Sequence, residues 1–135
     1  YNFKYGNDNT DKEITELLKK YKLDEVFSEL ADGYNTNVGI NGGNLSLGMQ
    51  KVTTIVRGIS KECGIIIFDE PLAGLDKNTR SKIMKMIIKE CKKKTVIVIT
   101  HDQEILPYMD RVINLNELQE KSHPKEGFQN FRTIY

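Results

Sequence analysis

Residues 65–70 read Ile-Ile-Ile-Phe-Asp-Glu, a run of four apolar residues that ends on two carboxylates. A continuous apolar run of this length predicts a strand that is buried on both faces, as in a parallel sheet. Thr95–Ile99 is a second such run, and residues 78–91 between the two runs have apolar side chains at helical spacing. Strand, helix and strand in this order predict a βαβ unit with two parallel strands.

The flanking segments predict a mixed α/β fold with helices first. Three helices are expected before the first strand: residues 11–21 capped by Thr10 or Asp11, residues 23–30, and a helix capped by Ser46 that runs to about Lys61. A loop rich in Gly and Asn occupies residues 33–44. After the second strand we expect a short helix at 102–109, a third strand at 111–115 and a polar tail.

The order of these elements predicts where a site should lie. In open parallel sheets, ligands bind at the carboxyl ends of the strands. Asp69 and Glu70 follow the first strand, and His101 follows the second. We therefore expect Glu70 and His101 to face one cleft, although 31 residues separate them along the chain.

Composition excludes several classes of function. The 135 residues contain 20 Lys and Arg against 19 Asp and Glu, a net charge of +1 that gives no basic field for nucleic acid. No apolar run approaches the length of about 18 residues that a membrane-spanning helix needs. The chain begins with Tyr1 rather than Met, so we expect a piece of a longer protein.

Four motifs resemble those of one enzyme family. Residues 65–70 resemble a Walker B segment, residues 45–49 (Leu-Ser-Leu-Gly-Met) resemble the signature Leu-Ser-Gly-Gly-Gln, and residues 71–76 (Pro-Leu-Ala-Gly-Leu-Asp) resemble a D-loop. Thr100-His101 resembles a switch histidine, and Arg57 stands where the family has an arginine. The order and spacing are those of the ATP-binding cassette (ABC) ATPase domain, which the chain resembles.

Two further stretches narrow the resemblance to exporters. Residues 32–42 contain Gly-Tyr-Asn-Thr-Asn-Val-Gly-Ile-Asn-Gly, similar to the exporter pattern Gly-Tyr-x-Thr-x-Val-Gly-x-x-Gly. Residues 2–7 (Asn-Phe-Lys-Tyr-Gly-Asn) resemble the segment after the exporters' Q-loop. The resemblance implies an α/β fold made of a partial P-loop NTPase core and the ABC helical subdomain. It divides the chain into a helical subdomain with the signature loop (1–62), the C-terminal part of the ATPase core (63–117) and a polar tail (118–135).

The resemblance also implies roles for the residues at the strand ends. Asp69 would hold Mg²⁺, and Glu70 would orient or deprotonate the water that attacks ATP. His101 would contact the γ-phosphate and that water. By itself, the pattern of residues 65–70 is also compatible with a plain buried strand that has a polar end.

A second set of roles crosses a dimer interface. In this family two ATPase domains, identical or different, close face to face over ATP. Ser46 and Gly48 would contact the γ-phosphate of ATP held by the partner, and Asp76 would bind or signal at the same interface. Ser46 and Asp76 are also ordinary helix N-caps by residue type.

The chain departs from the family pattern at several places, including Val52, which stands where the family has an arginine, and the missing Q-loop glutamine before Asn2. Leu47 replaces a glycine that would let a ligand approach the backbone. Met49 replaces a glutamine and offers no amide to a nucleotide. The phosphate-loop pattern Gly-x-x-x-x-Gly-Lys-Ser/Thr does not occur in the sequence.

The implied function is that of the ATP-hydrolysing domain of an exporter, with ATP and Mg²⁺ as cofactors. The implied partners are a second ATPase domain and a transmembrane domain, at the cytoplasmic face of a membrane, with the fragment itself soluble. One alternative is a non-catalytic module that docks on an intact ATPase domain and modulates it. Another is an ABC ATPase of DNA repair or chromosome maintenance, which the exporter-like loop at 32–42 and the absence of a heptad repeat argue against.

Overall fold

The computed structural model describes Phe3 and residues 10–115. Two sequence interpretations lie outside the described residues: the exporter-like segment at 2–7 apart from Phe3, and the polar tail at 118–135 with His123. Within the described part of the chain, no helix combines the length and the apolar character needed to cross a membrane.

The helical first half begins as the sequence predicts. Helix α1 spans Asp11–Lys20, and its first turn is closed by a capping box. Thr10 Oγ1 accepts a hydrogen bond from the Glu13 N–H at 3.3 Å, while Glu13 Oε2 accepts one from the Thr10 N–H at 2.7 Å. The predicted helix at 23–30 is shorter than expected and is a 3₁₀ turn at Asp24–Phe27.

Helix α2 spans Leu47–Ser60 and starts at the predicted cap, Ser46. The predicted βαβ unit follows it: β1 is Ile65–Asp69, α3 is Lys77–Glu90 and β2 is Thr95–Ile99. The strands are parallel and pair without a bulge from Ile65–Thr95 to Asp69–Ile99. These residues therefore confirm the mixed α/β architecture and the parallel crossover.

One hydrophobic core joins the two halves of the chain. Val52 and Val56 of α2 and Ile83 of α3 have no exposed surface, and they share the core with Ile66 and Phe68 of β1. Polar contacts tie the same elements together, because Glu90 at the end of α3 accepts hydrogen bonds from Lys20 at 2.7 Å and from Tyr21 at 2.5 Å. Within the described residues, those before and after position 62 therefore share one core.

The prediction that β1 is buried on both faces is wrong for the described residues. Ile66 and Phe68 are buried, whereas Ile65 and Ile67 are each 61% exposed. Successive side chains of a strand point to opposite faces, so one face of the sheet is covered and the other is open. The helices α2 and α3 bury their apolar residues in the core with Ile66 and Phe68, and therefore cover only that face.

The predicted third strand at 111–115 is also wrong, because these residues form no strand. Val112 and Leu115 are 47% and 44% exposed, and the sheet formed by the described residues has two strands, β1 and β2. A strand needs a neighbour to pair its backbone groups, and apolar residues alone do not supply one. The predicted helix at 102–109 is a 3₁₀ turn at Gln103–Tyr108, where Pro107 has no N–H to donate.

The buried and exposed faces of β1 predict that alanine substitutions of Ile66 and Ile67 differ in their effect on the free energy of unfolding. Ile66→Ala removes buried methyl groups and should lower the free energy of unfolding by about 2–4 kcal/mol. Ile67→Ala should lower it by less than about 1 kcal/mol, because its side chain remains largely in water when the chain folds. Urea unfolding of the two variants measures the difference. Equal losses would contradict the one-sided core.

Candidate functional site

Strands β1 and β2 end at the same register position, which places the side chains of Glu70 and His101 next to each other. Asp69 pairs with Ile99 in the last register position of the ladder. The Glu70 N–H then donates to the Ile99 carbonyl at 2.8 Å, which extends the pairing by one residue. Glu70 and His101 therefore leave the same edge of the sheet, and the predicted convergence of these two residues is confirmed.

The Glu70 carboxylate is held by three donors from the turn after β2. His101 Nδ1 lies 2.7 Å from Oε1, and the His101 backbone N–H donates to the same oxygen at 3.1 Å. The Thr100 hydroxyl donates to Oε2 at 3.2 Å. Both carboxylate oxygens are thus oriented by groups that β2 itself positions.

These donors decide the ionisation of the carboxylate. Burial raises the pKa of Glu70, but the hydrogen bonds from His101 and Thr100 outweigh it and hold the pKa below its ordinary value. A carboxyl whose folded pKa is lowered stabilises the folded state above its unfolded pKa, and loses that effect as the pH falls through the folded pKa. Glu70 is therefore an anion at neutral pH and can accept a hydrogen bond or a proton.

The pair leaves two positions for a reacting water. Because the carboxylate only accepts, Nδ1 of His101 carries the proton of the shared hydrogen bond, and Nε2 of the neutral ring is an acceptor. Oε2 of Glu70 receives one donor in the structure and keeps a second acceptor site. The His101 side chain is 85% exposed and that of Glu70 is 35% exposed, so water reaches both groups.

The backbone of Glu70 is unusual and is supported by a lysine of α2. Its φ is +44°, in the left-handed region that residues with a Cβ rarely adopt. The Glu70 carbonyl accepts a hydrogen bond from Lys51 Nζ at 2.8 Å. Sequence reasoning missed Lys51, because the contact spans 19 residues and two different elements.

Sequence reasoning also missed the support behind Thr100. The buried Thr100 hydroxyl accepts a hydrogen bond from the Asp102 N–H at 3.1 Å while it donates to Glu70. The Asp102 carboxylate forms a salt bridge with Arg80 of α3, and Glu104 lies 3.5 Å from the same guanidinium nitrogen. Helix α3 therefore holds the turn that carries His101. The one sign of this support in the sequence is Asp102, the charged residue directly after His101.

Asp69 meets part of what Mg²⁺ needs. It ends β1, beside Glu70, and its side chain is exposed. Among the described residues no three His, Cys, Asp or Glu side chains are grouped to hold a metal. Mg²⁺ is commonly bound by one or two carboxylates together with water and the phosphates of a nucleotide. Asp69 fits that donor set as a single ligand, with the nucleotide and water supplying the others.

The start of α2 presents the residues of the signature-like motif. Ser46 is exposed, and its Oγ accepts a hydrogen bond from the Met49 N–H at 3.2 Å. The hydroxyl still has its own proton to donate, so capping and contact with a phosphate are compatible. The N–H groups of Leu47 and Gly48 lie in the first turn, where they have no partner within the helix and can meet an anion.

The segment after β1 packs against this helix start. A Cβ built on Gly74, whose φ is +74°, would lie 3.0 Å from a methyl carbon of Leu47. Asp76 caps α3, and its Oδ1 accepts hydrogen bonds from the N–H groups of Asn78 and Thr79 at 3.0 Å each. The structure thus brings the signature-like motif and the D-loop-like segment together, and brings Glu70 and His101 together as a second pair.

The hydrogen bond between the pair predicts the effect of removing the ring. His101→Ala deletes the Nδ1 donor and leaves the backbone N–H and Thr100 in place, so the pKa of Glu70 should rise toward its ordinary value. Carbon-13 NMR titration of the Glu70 carboxyl measures this shift. Glu13 is the internal control, because backbone and side-chain hydrogen bonds from Thr10 lower its pKa. An unchanged Glu70 titration would show that the ring contributes nothing.

Comparisons with known proteins agree with the motifs. No protein-family profile matches the chain. "ABC transporter ATM1" of Plasmodium falciparum (isolate 3D7) is 37% identical over 114 residues, which are 84% of this chain and 11% of that protein. "Iron-sulfur clusters transporter ATM1, mitochondrial" of Debaryomyces hansenii is 34% identical over 139 aligned positions, with 99% of this chain and 20% of that protein covered. The chain thus spans about a tenth to a fifth of these relatives.

A solved structure shows the same relationship in three dimensions. "Structure of a bacterial Atm1-family ABC exporter with ATP bound" superposes with a TM-score of 0.68 at 30% identity, over 78% of this chain and 19% of that one. The similarity therefore extends from the motifs to the arrangement of helices and strands. The chain belongs to the ABC transporter family and corresponds to a partial ABC domain of the exporter type.

Proposed function

We propose that this chain is an ATP-binding and ATP-hydrolysing part of an exporter-type ABC transporter. One observation carries the proposal. The Glu70 carboxylate is held by His101 and Thr100 at the C-terminal edge of a parallel sheet, with an acceptor site left for water. This is where nucleotide chemistry takes place in α/β folds of this type.

Glu70 and His101 form the hydrolytic pair of this proposal. Glu70 accepts a hydrogen bond from the attacking water and acts as the general base toward that proton as the water adds to the γ-phosphorus. Nε2 of His101 accepts from the same water when the ring is neutral, and donates to a phosphate oxygen when the ring is protonated. Asp69 supplies one carboxylate oxygen for Mg²⁺. The ion neutralises phosphate charge when it is bound.

Ser46 and Gly48 act on a different nucleotide, one that a second ATPase domain holds. Ser46 is exposed, and the positive end of the helix that it caps favours an anion there. Asp76 lies beside this surface, at the start of α3. The partner is a second ABC ATPase domain, identical or different, that closes over the nucleotide and completes both sites.

The proposed setting is the cytoplasmic face of a membrane, where a transmembrane domain of the same transporter converts closure of the ATPase pair into transport. In this proposal the helical subdomain corresponds to residues 1–62 and part of the P-loop NTPase core to residues 63–117, and the predicted tail at 118–135 lies outside the described residues. The net charge of +1 provides no basic field for nucleic acid, so the proposal includes no nucleic-acid partner.

A second candidate is a non-catalytic module that docks on an intact ATPase domain. Two side chains favour it. Met49, in place of the signature glutamine, is 6% exposed and packs in the core, so it makes no contact with a nucleotide. Leu47 is 56% exposed and presents an apolar side chain in place of a glycine. Turnover by variants of Glu70 separates the two functions.

In the full-length protein, Glu70→Gln should reduce ATP turnover by about 10²-fold or more, because the amide keeps the shape of the side chain and loses the base. ATP affinity should stay within about twofold, since Glu70 orients water rather than the nucleotide. Steady-state phosphate release and nucleotide binding measure the two quantities.

Glu29→Gln is the matched control, because Glu29 is exposed and lies outside the site. Its turnover should equal that of the unaltered protein. Unchanged turnover in Glu70→Gln would overturn the catalytic role and support the docking module.

The 135-residue chain alone should neither bind Mg-ATP tightly nor hydrolyse it. Its sequence lacks the phosphate-loop pattern, and the carboxylates of Asp69 and Glu70 repel phosphate. Calorimetric titration with Mg-ATP and a phosphate-release assay test this. Micromolar affinity or steady turnover would reveal a phosphate site within these residues and contradict the assignment of roles.

A further inference from the structure

The main chain of Glu70 is fastened at both of its polar groups. Its N–H donates to the Ile99 carbonyl at 2.8 Å, and its carbonyl accepts from Lys51 Nζ at 2.8 Å. The residue lies between these contacts at a φ of +44°, which a side chain with a Cβ rarely adopts. A conformation of this kind persists when its surroundings hold it in place. The Glu70 carbonyl also accepts from the Ala73 N–H at 3.3 Å within its own turn, and the lysine is the support that comes from a helix.

Lys51 is suited to this contact by its charge and by its position. A charged donor makes a stronger hydrogen bond to a carbonyl than a neutral donor does. The side chain is half-buried, which reduces competition from water. It binds the main chain of Glu70, whereas the donors to the carboxylate come from His101 and Thr100. Lys51 therefore helps to fix the position of the Glu70 main chain, whereas His101 and Thr100 determine the orientation and the charge of its carboxylate.

Gln50, the residue before Lys51, anchors the loop that precedes α2. Gln50 Nε2 donates to the carbonyls of Gly42 and Leu45 at 3.1 and 3.0 Å, which holds the loop that leads into Ser46. Gln50 and Lys51 are consecutive on α2, so one rigid helical turn joins the signature-like motif to Glu70. A rotation or shift of the start of α2 moves Lys51 Nζ with it.

We propose that Lys51 is a positioning residue for Glu70, and that through it the proposed hydrolytic carboxylate depends on the orientation of the helix that carries Ser46 and Gly48. This inference rests on the proposed function. It means that contact between the first turn of α2 and the partner's nucleotide changes the position of Glu70 in the proposed hydrolytic site of this chain. The coupling runs through one hydrogen bond from α2 to the turn after β1.

The test uses the full-length transporter and a short series at one position. Lys51→Met keeps the length of the side chain and removes its charge and donors. It should lower kcat by about tenfold or more with KM within about twofold, since a misplaced group costs rate rather than ground-state binding. Lys51→Arg restores a charged donor and should recover most of kcat, and Lys51→Gln, with a neutral donor, should fall between the two.

Two controls separate placement from general stability. Lys85→Met removes an exposed lysine of α3 and should leave kcat unchanged. The midpoint of thermal unfolding should stay within a few degrees across the series. In the Glu70→Gln background, Lys51→Met should lower the residual rate no further, because the group that the lysine positions has already lost its function.

Each outcome decides one of the two hypotheses. If Glu70→Gln leaves turnover unchanged, the proposed function fails. If Glu70→Gln silences turnover while Lys51→Met keeps full kcat, the function stands and the positioning role is overturned. The positioning role is also overturned if Lys51→Met lowers kcat, raises KM and lowers the unfolding midpoint together, with no recovery in Lys51→Arg.

Discussion

Parallel pairing between β1 and β2 is the constraint on which the rest of the site depends. The five register pairs end level at Asp69 and Ile99, and one further hydrogen bond joins the Glu70 N–H to the Ile99 carbonyl. Slipping the register by one residue would turn every side chain of a strand to the other face. It would also separate Glu70 from His101. The apolar residues that hold the ladder in place therefore determine the geometry of the polar pair beyond it.

Hydrogen bonds around Glu70 determine the orientation and the charge of its carboxylate. His101 and Thr100 supply donors to the carboxylate and keep its pKa low, while Arg80 holds the turn through Asp102. Lys51 and Ile99 fix the main chain from opposite sides. The result is an anion with defined orientation and an acceptor site open to water. Such preorganised polar groups do not have to reorient when charge develops in a reaction.

Two surfaces of the chain remain exposed around this edge. One face of β1 shows Ile65 and Ile67 to solvent, and the first turn of α2 shows Ser46 and Leu47. In the proposed function the second surface meets a partner's nucleotide. Met49 is buried and Leu47 is exposed, so in the proposed function the signature-like motif keeps its helix start and offers a nucleotide fewer polar side chains.

Local patterns were enough to determine β1, β2, the long helices and the edge of the sheet that carries the polar residues. The alternation of apolar runs and helical spacing predicted the βαβ unit, and Ser46 and Thr10 predicted two helix starts, because these signals act over a few residues. The motifs from 45 to 101 predicted the ABC family, and the stretches at 2–7 and 32–42 narrowed it to exporters. They also indicated that Glu70 and His101 meet, since parallel strands end at the same edge.

Tertiary structure decided the features that depend on distant partners. Residues 111–115 have the composition of a strand, but pairing needs a neighbour that composition cannot supply. An apolar run cannot tell whether one or both faces will be covered, and in β1 it is one. The contacts of Lys51 with Glu70 and of Arg80 with Asp102 span 19 and 22 residues and join separate elements. Charged side chains of this kind are usually solvated, and only the packing of α2 and α3 beside the sheet brings these two to the site.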